Sequence, residues 1–135
     1  IEKLARAHGI AFRKEVFVRG SLGAGFVDLV LDISGSVTAV EAELSPLRVR
    51  KDLDKANELG ADTIFIVTPD RRIADTIDSG LAYVPRLALP AKYFVLPLGI
   101  ALTRLSTLFS QFPLPNDGER KGKEFPCVSA GIAFS

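Results

Sequence analysis

Hydrophobic and polar positions along this chain follow two periods, one typical of strands and one typical of helices. Short apolar runs predict strands, whereas apolar positions three or four residues apart predict helices. The predicted elements in chain order are a helix at 2–8, strands at 12–19, 26–32 and 37–44, a helix at 45–59, a strand at 62–67, a helix from 68 to 80, a strand at 93–98 and a helix at 100–109. This order predicts an α/β domain.

Residues at the ends of these elements support their predicted limits. Ser45 and Pro46 suit the N-cap and first position of a helix, and Gly60 suits its end. The continuous apolar run at 62–67 is typical of a buried parallel strand. Alternation in the first strand predicts one shared face for three apolar residues: Phe12, Val16 and Val18.

Carboxylates interrupt the second and third predicted strands, which a turn at 34–36 joins as a hairpin. Since side chains in a strand alternate, Glu41 and Glu43 point to one face and Ala42 to the other. Asp28 on the neighbouring strand is placed to meet the two glutamates. Acids in apolar strands are unfavourable to bury unless they are paired, hydrogen-bonded or bound to a metal. These three acids are therefore candidate functional residues.

The composition is that of an ordinary globular domain. Of the 135 residues, 47% are hydrophobic and 24% charged, and the net charge of +1 gives no global field that marks a nucleic-acid binder. We expect one domain at 1–112, followed by a polar loop and C-terminal tail at 113–135. The lone Cys127 has no partner for an internal disulfide. We expect a cytoplasmic protein without a membrane span, and a piece of a longer chain, since it starts at Ile1 without Met.

The segments 25–32 (GFVDLVLD) and 40–45 (VEAELS), followed by a helix and a buried strand, resemble the PD-(D/E)XK nuclease superfamily. That superfamily includes restriction endonucleases and Holliday-junction resolvases. The resemblance implies a restriction endonuclease-like αβββαβ core with a mixed central sheet flanked by helices. It also implies a DNA endonuclease in which Asp28 and Glu41 ligate Mg²⁺ or Mn²⁺, with the carbonyl of Ala42 as a further ligand. Hard divalent cations prefer such oxygen ligands.

Two positions depart from the superfamily pattern. Val27 replaces the proline of the motif name, and Glu43 replaces its lysine. A glutamate supplies no positive charge to orient the attacking water, although some restriction endonucleases carry Glu at this position. Other members move the lysine to the following helix, where Lys51 or Lys55 is available here. The predicted catalytic set is therefore Asp28, Glu41, Glu43 and Lys51.

The helix at 45–59 also carries a stripe of cations. At ~100° per residue, Arg48, Lys51 and Lys55 fall within about 60° of one another, beside the apolar face. This stripe is a candidate contact for DNA phosphates. The alternative is an ordinary solvated face, in which Asp52 and Asp54 pair with the neighbouring basic residues.

Three functional interpretations remain open from the sequence. The first is a metal-dependent endonuclease that acts on DNA, with a homodimer and with fused or partner domains as expected partners. The second is a catalytically inactive nuclease-like fold that binds DNA or protein. In that case we expect its three acids to be splayed apart or paired with Arg and Lys, with no response to metal. The third is an unrelated α/β domain whose acids face solvent.

Overall fold

The computed structural model describes residues 1–81 and 91–111 of the 135-residue chain. Its elements in order are α1 (Glu2–Ala7), β1 (Ala11–Gly20), β2 (Gly23–Ile33), β3 (Ser36–Ala42), α2 (Pro46–Leu59), β4 (Thr63–Thr68), α3 (Arg71–Leu81), β5 (Lys92–Pro97) and α4 (Leu98–Ser110). The predicted order of elements is observed. The predicted loop and tail at 113–135 lie outside the described residues.

The five strands form one mixed sheet in the order β1-β2-β3-β4-β5. The first three strands run antiparallel, with Leu29 opposite Val40 between β2 and β3. The last three run parallel, with Val40 opposite Phe65 and Phe65 opposite Phe94. The predicted mixed central sheet is thus present, and β3 lies at its centre.

Helices cover both faces of the sheet, because each face buries its own apolar cluster. The first cluster lies under α2 and α3 and includes Val27, Val30, Val49, Leu53, Ile64, Ile66 and Ile77. The second lies under α1 and α4 and includes Leu29, Leu31, Val40, Phe65, Leu105 and Phe109. The strands β3 and β4 contribute to both clusters, as expected of strands buried on both faces.

The predicted ends of α2 are confirmed. The Ser45 hydroxyl oxygen accepts a hydrogen bond from the Leu47 amide at 3.2 Å, and Pro46 begins the helix. Gly60 ends it in a left-handed conformation with φ of 87°. The prediction for α3 was wrong at one end, since Gly80 lies inside the helix. Ile77 and Leu81 are both buried, and their burial stabilises the helix enough to outweigh the low helix propensity of glycine.

The prediction that the apolar residues of β1 share one face was also wrong. Phe12 packs against the cluster under α1 and α4, whereas Val16 and Val18 belong to the cluster under α2 and α3. Between them Glu15 has a φ of 49°, which is uncommon for a residue with a side chain. This local distortion breaks the two-residue alternation, so that one strand contributes to both cores.

The helices are short compared with a lipid bilayer. The α2 helix has 14 residues. Within residues 1–81 and 91–111, no helix has both the length and the apolar character needed to cross a membrane.

The two leucines of α2 provide a test of the core. Leu53 is fully buried, whereas Leu47 is 90% exposed on the same helix. We expect Leu53→Ala to lower the free energy of unfolding by about 2–5 kcal/mol, because it opens a cavity in the core. The matched control Leu47→Ala should change it by less than ~0.5 kcal/mol. Urea unfolding of both variants measures the difference, and equal effects would contradict this assignment of the helix faces.

Candidate functional site

The strands β2 and β3 separate at one end of their ladder, and two carboxylates fill the gap. Backbone pairing extends from Ile33 opposite Ser36 to Leu29 opposite Val40. Beyond that pair, the Asp28 amide donates to Glu41 Oε1 at 2.9 Å. The Ala42 amide donates to Asp28 Oδ2 at 2.8 Å. The side chains of the two acids therefore take the place of backbone partners, and they lie together at the fork.

The alternation of β2 changes at the same position. Val27 and Val30 both belong to the cluster under α2, although they are three residues apart, and Leu29 belongs to the opposite cluster. The register of the neighbouring pairs places Asp28 next to Glu15, the distorted residue of β1. The irregular backbone of both strands is thus concentrated beside the two acids.

Lys55 of α2 supplies the positive charge of the site. Its Nζ lies 3.1 Å from Glu41 Oε2 and 3.5 Å from Asp52 Oδ1, and it donates to the carbonyl oxygen of Phe26 at 2.6 Å. A Cβ atom at Gly25 would lie 3.1 Å from the Lys55 Cδ. Because Gly25 has no side chain, the Lys55 stem can cross β2 and bring its ammonium to Glu41.

Glu41 is the most deeply buried acid of the site, with 1% of its surface exposed. Burial raises its pKa above the ordinary value, against the opposing effects of the Asp28 amide and the Lys55 ammonium. Its Oε2 accepts no hydrogen bond from the described residues, so the contact with Lys55 is an ion pair without hydrogen-bond alignment. That oxygen already faces one cation, the Lys55 ammonium.

Glu43 lies between the end of β3 and the start of α2. Its Oε1 accepts hydrogen bonds from the amides of Leu44 at 3.0 Å and Ser45 at 3.2 Å. Burial acts to raise its pKa, but hydrogen bonds from Asp52 and from these two amides, together with the charge of Arg48, lower it below the ordinary value. Glu43 is therefore held as a carboxylate that fixes the β3–α2 connection.

Asp52 is a member of the site that the sequence analysis treated as a surface charge. Burial, a hydrogen bond with Glu43 and the charges of Glu41 and Glu43 raise its pKa to about 8, against the effect of Lys55. Its Oδ2 is buried and accepts no hydrogen bond from the described residues. The signal for it in the sequence was its spacing from Val49 and Leu53, which places it on the apolar face of the helix.

The other predicted site residues divide into one that is buried at the site and two that are exposed. Lys55, predicted within an exposed cationic stripe, is buried against Glu41. Arg48 and Lys51 are exposed, and Lys51 lies near Gly23, within 3.6 Å of the position of a Cβ there. Lys51, predicted as catalytic, has no ion pair with a described residue. Ala42 contacts Asp28 through its amide, and the metal-binding role predicted for its carbonyl stays a prediction.

The donor set at the fork suits a hard cation with few protein ligands. Asp28 is exposed and Glu41 has a buried oxygen without a hydrogen bond, and Mg²⁺ commonly binds through one or two carboxylates and several waters. Within the described part of the chain, no three acidic, histidine or cysteine side chains converge as a ready metal cage.

Comparisons with known proteins define no family for this chain. Profiles of protein families and curated proteins give no match. Among solved structures, the crystal structure of the protein of unknown function AF1548 is similar, with a TM-score of 0.47 and 13% sequence identity. The similarity covers 70% of this chain and 53% of that protein, so this chain spans about half its length.

The pKa of Asp52 generates a prediction about stability. The pKa is about 8 in the folded protein against an ordinary value of 3.8, so the folded state holds a proton that the unfolded state loses. The contribution of Asp52 is thus fully present below the ordinary pKa and is lost as pH rises toward about 8. Asp52→Asn keeps a neutral donor to Glu43, so we expect it to stabilise the protein increasingly over this range. Urea unfolding at several pH values measures the difference.

The matched control for this measurement is Asp54→Asn, which changes a carboxylate of the same helix that accepts hydrogen bonds from Ser21 and Leu22 and has no contact with Glu43. A difference between wild type and Asp52→Asn that stays constant across the pH range would show that Asp52 ionises normally in the folded state.

Proposed function

We propose that this chain is a metal-dependent endonuclease domain of the PD-(D/E)XK kind that hydrolyses phosphodiester bonds in DNA. The observation that carries the proposal is the fork between β2 and β3, where Asp28 and Glu41 meet and Lys55 lies 3.1 Å from Glu41. The superfamily pattern requires two acids on neighbouring strands and a nearby positive charge. In this chain Lys55 supplies the charge that Glu43 cannot.

Asp28 and Glu41 are the residues that would hold the metal, with the Ala42 carbonyl as a further candidate. A bound Mg²⁺ or Mn²⁺ supplies an activated water and neutralises charge on the phosphate. The Lys55 ammonium acts beside Glu41, where it offsets negative charge that develops on a phosphate in the transition state. Its carbonyl partner on Phe26 holds it in place.

Glu43 has a supporting role in this proposal. Its carboxylate is committed to the amides of Leu44 and Ser45 and to Asp52. Glu43 therefore positions the start of α2, and through it the helix that carries Lys55, rather than binding the metal itself.

The same contacts favour a second candidate function, that of an inactive nuclease-like module which binds DNA or protein. Glu41 uses one oxygen for the Asp28 amide and the other for the Lys55 ion pair. An acid with both oxygens engaged inside the protein can serve a purely structural purpose at the fork. Metal-dependent activity distinguishes the two functions.

Asp28 gives the sharper test of the metal site, because it is exposed and its removal leaves no buried charge. We expect the domain to nick supercoiled plasmid or cut a branched junction in Mg²⁺ or Mn²⁺. Asp28→Asn should lower that rate by about 100-fold or more, while its side-chain oxygen can still accept from the Ala42 amide. The control is Asp32→Asn, four residues along the same strand. Absence of cutting by folded wild-type protein in either metal would favour the inactive module.

The two lysines of α2 test which cation acts at the site. Lys55→Met should lower the cutting rate by about 100-fold, because it removes the ammonium beside Glu41. The matched control Lys51→Met, one helical turn away and exposed, should change it by less than about fivefold.

Lys55→Met also leaves Glu41 buried without a partner, so its fold is checked by circular dichroism. The double variant Lys55→Met with Glu41→Gln removes that unpaired charge. Equal rates for the two single lysine variants in folded protein would contradict the assignment of Lys55.

A further inference from the structure

We propose that the exposed face of the β1–β2 hairpin binds unpaired nucleotides by stacking their bases on Phe17 and Phe26. The inference rests on the proposed function and deepens it, since it makes single-stranded or locally unpaired DNA the substrate class of the site. The hairpin face is defined here by Phe17, Arg19, Ala24 and Phe26.

The two phenylalanines form an exposed aromatic pair. Phe17 lies directly opposite Phe26 between the strands, and their ring centroids are 5.4 Å apart at an interplanar angle of 68°. Phe17 is 51% exposed and Phe26 54%, and neither belongs to an apolar cluster of the core. Their neighbours Val16, Val18 and Val27 turn to the opposite face and pack under α2. The aromatic pair therefore contributes little to the described core.

The pair lies next to the carboxylates at the fork. Phe26 precedes Asp28 by two residues, a distance of about 7 Å along an extended strand. The carbonyl of Phe26 accepts the hydrogen bond from Lys55, which in turn contacts Glu41. A strand with a phosphate at Asp28 would thus have an adjacent base within reach of the Phe26 ring.

The one charged side chain of this face suits a polyanion. The segment from Val16 to Val27 contains Arg19 and no acidic residue, and the acids just outside it, Glu15 and Asp28, lie together at the fork. Arg19 is exposed and has no ion pair with a described residue. A cation beside a pair of exposed aromatic rings is typical of surfaces that bind single-stranded nucleic acid.

Base stacking explains why unpaired DNA is favoured over a duplex. Within a duplex, each base stacks on its neighbours and presents only its edges in the grooves. The ring face becomes available to a protein side chain when the base is unpaired or extruded. Phenylalanine offers no hydrogen bond to a base edge, so this surface selects unpaired structure without selecting sequence.

The test compares binding of an oligothymidine with binding of an abasic oligomer of equal length, which has phosphates and no bases. Fluorescence anisotropy in a metal-free buffer measures affinity without cutting. Phe26→Ala should weaken oligothymidine binding by about 5- to 100-fold and leave abasic binding unchanged. Phe26→Leu should weaken it similarly while keeping an apolar side chain, and Phe26→Trp should restore it. Tyr93→Ala, which changes a partly exposed aromatic residue on β5, is the matched control.

Three results would overturn the inference. One is that the wild-type protein binds duplex and single-stranded DNA with equal affinity, and that neither Phe17→Ala nor Phe26→Ala changes this affinity. Another is no binding of oligothymidine by the folded protein. The third is a change of oligomeric state in Phe26→Ala by analytical ultracentrifugation, which would assign the face to contact with a second copy.

The outcomes separate this inference from the proposed nuclease function. Metal-dependent cutting that shows no preference for unpaired DNA and is unchanged in the phenylalanine variants would refute the stacking surface and support the nuclease. Base-dependent binding by a protein that cuts no DNA in Mg²⁺ or Mn²⁺ would refute the nuclease and support the stacking surface.

Discussion

Burial of the Glu41 carboxylate is the constraint on which the site depends. An acid with 1% of its surface exposed in the centre of a sheet is strongly unfavourable unless its charge is matched. The match is the Lys55 ammonium from α2 on one oxygen and the Asp28 amide on the other. The strands open at this point because the side chain of Glu41 occupies the position of a backbone partner. Removing either contact would leave a buried charge or an unsatisfied amide.

This single ion pair connects the sheet to its covering helix. Lys55 reaches Glu41 by crossing β2 at Gly25, and Glu43 fixes the first turn of α2 through the amides of Leu44 and Ser45. Asp52 joins the two ends of this arrangement, since it contacts Lys55 and shares a hydrogen bond with Glu43. The acids, the lysine and the helix cap are therefore one network, and its chemistry is compatible with a catalytic site as well as with a structural one.

Helix periodicity explains why the sequence did not distinguish the lysine that contacts Glu41 from its neighbour on the helix. Lys51 and Lys55 are one turn apart, so they differ by only about 40° around the axis. Both fit a residue that follows the motif, yet only Lys55 lies above Gly25 and Glu41. Asp52 was missed for a related reason. Its position three residues after Val49 indicated the buried face, but its charge suggested a surface pair with the neighbouring basic residues.

The sequence by itself determined the order of the elements, the limits of α2 and the place of the acids on neighbouring strands. These features depend on interactions within a few residues, such as the alternation of apolar positions and the Ser45 cap. Only the tertiary structure decided the fork, the partner of Glu41 and the protonation of Asp52. The contacts that form the fork and hold Lys55 join residues 13, 14 and 29 positions apart, and no local pattern encodes their distances. The same holds for Phe17 and Phe26, whose exposure depends on which strand faces the helices cover.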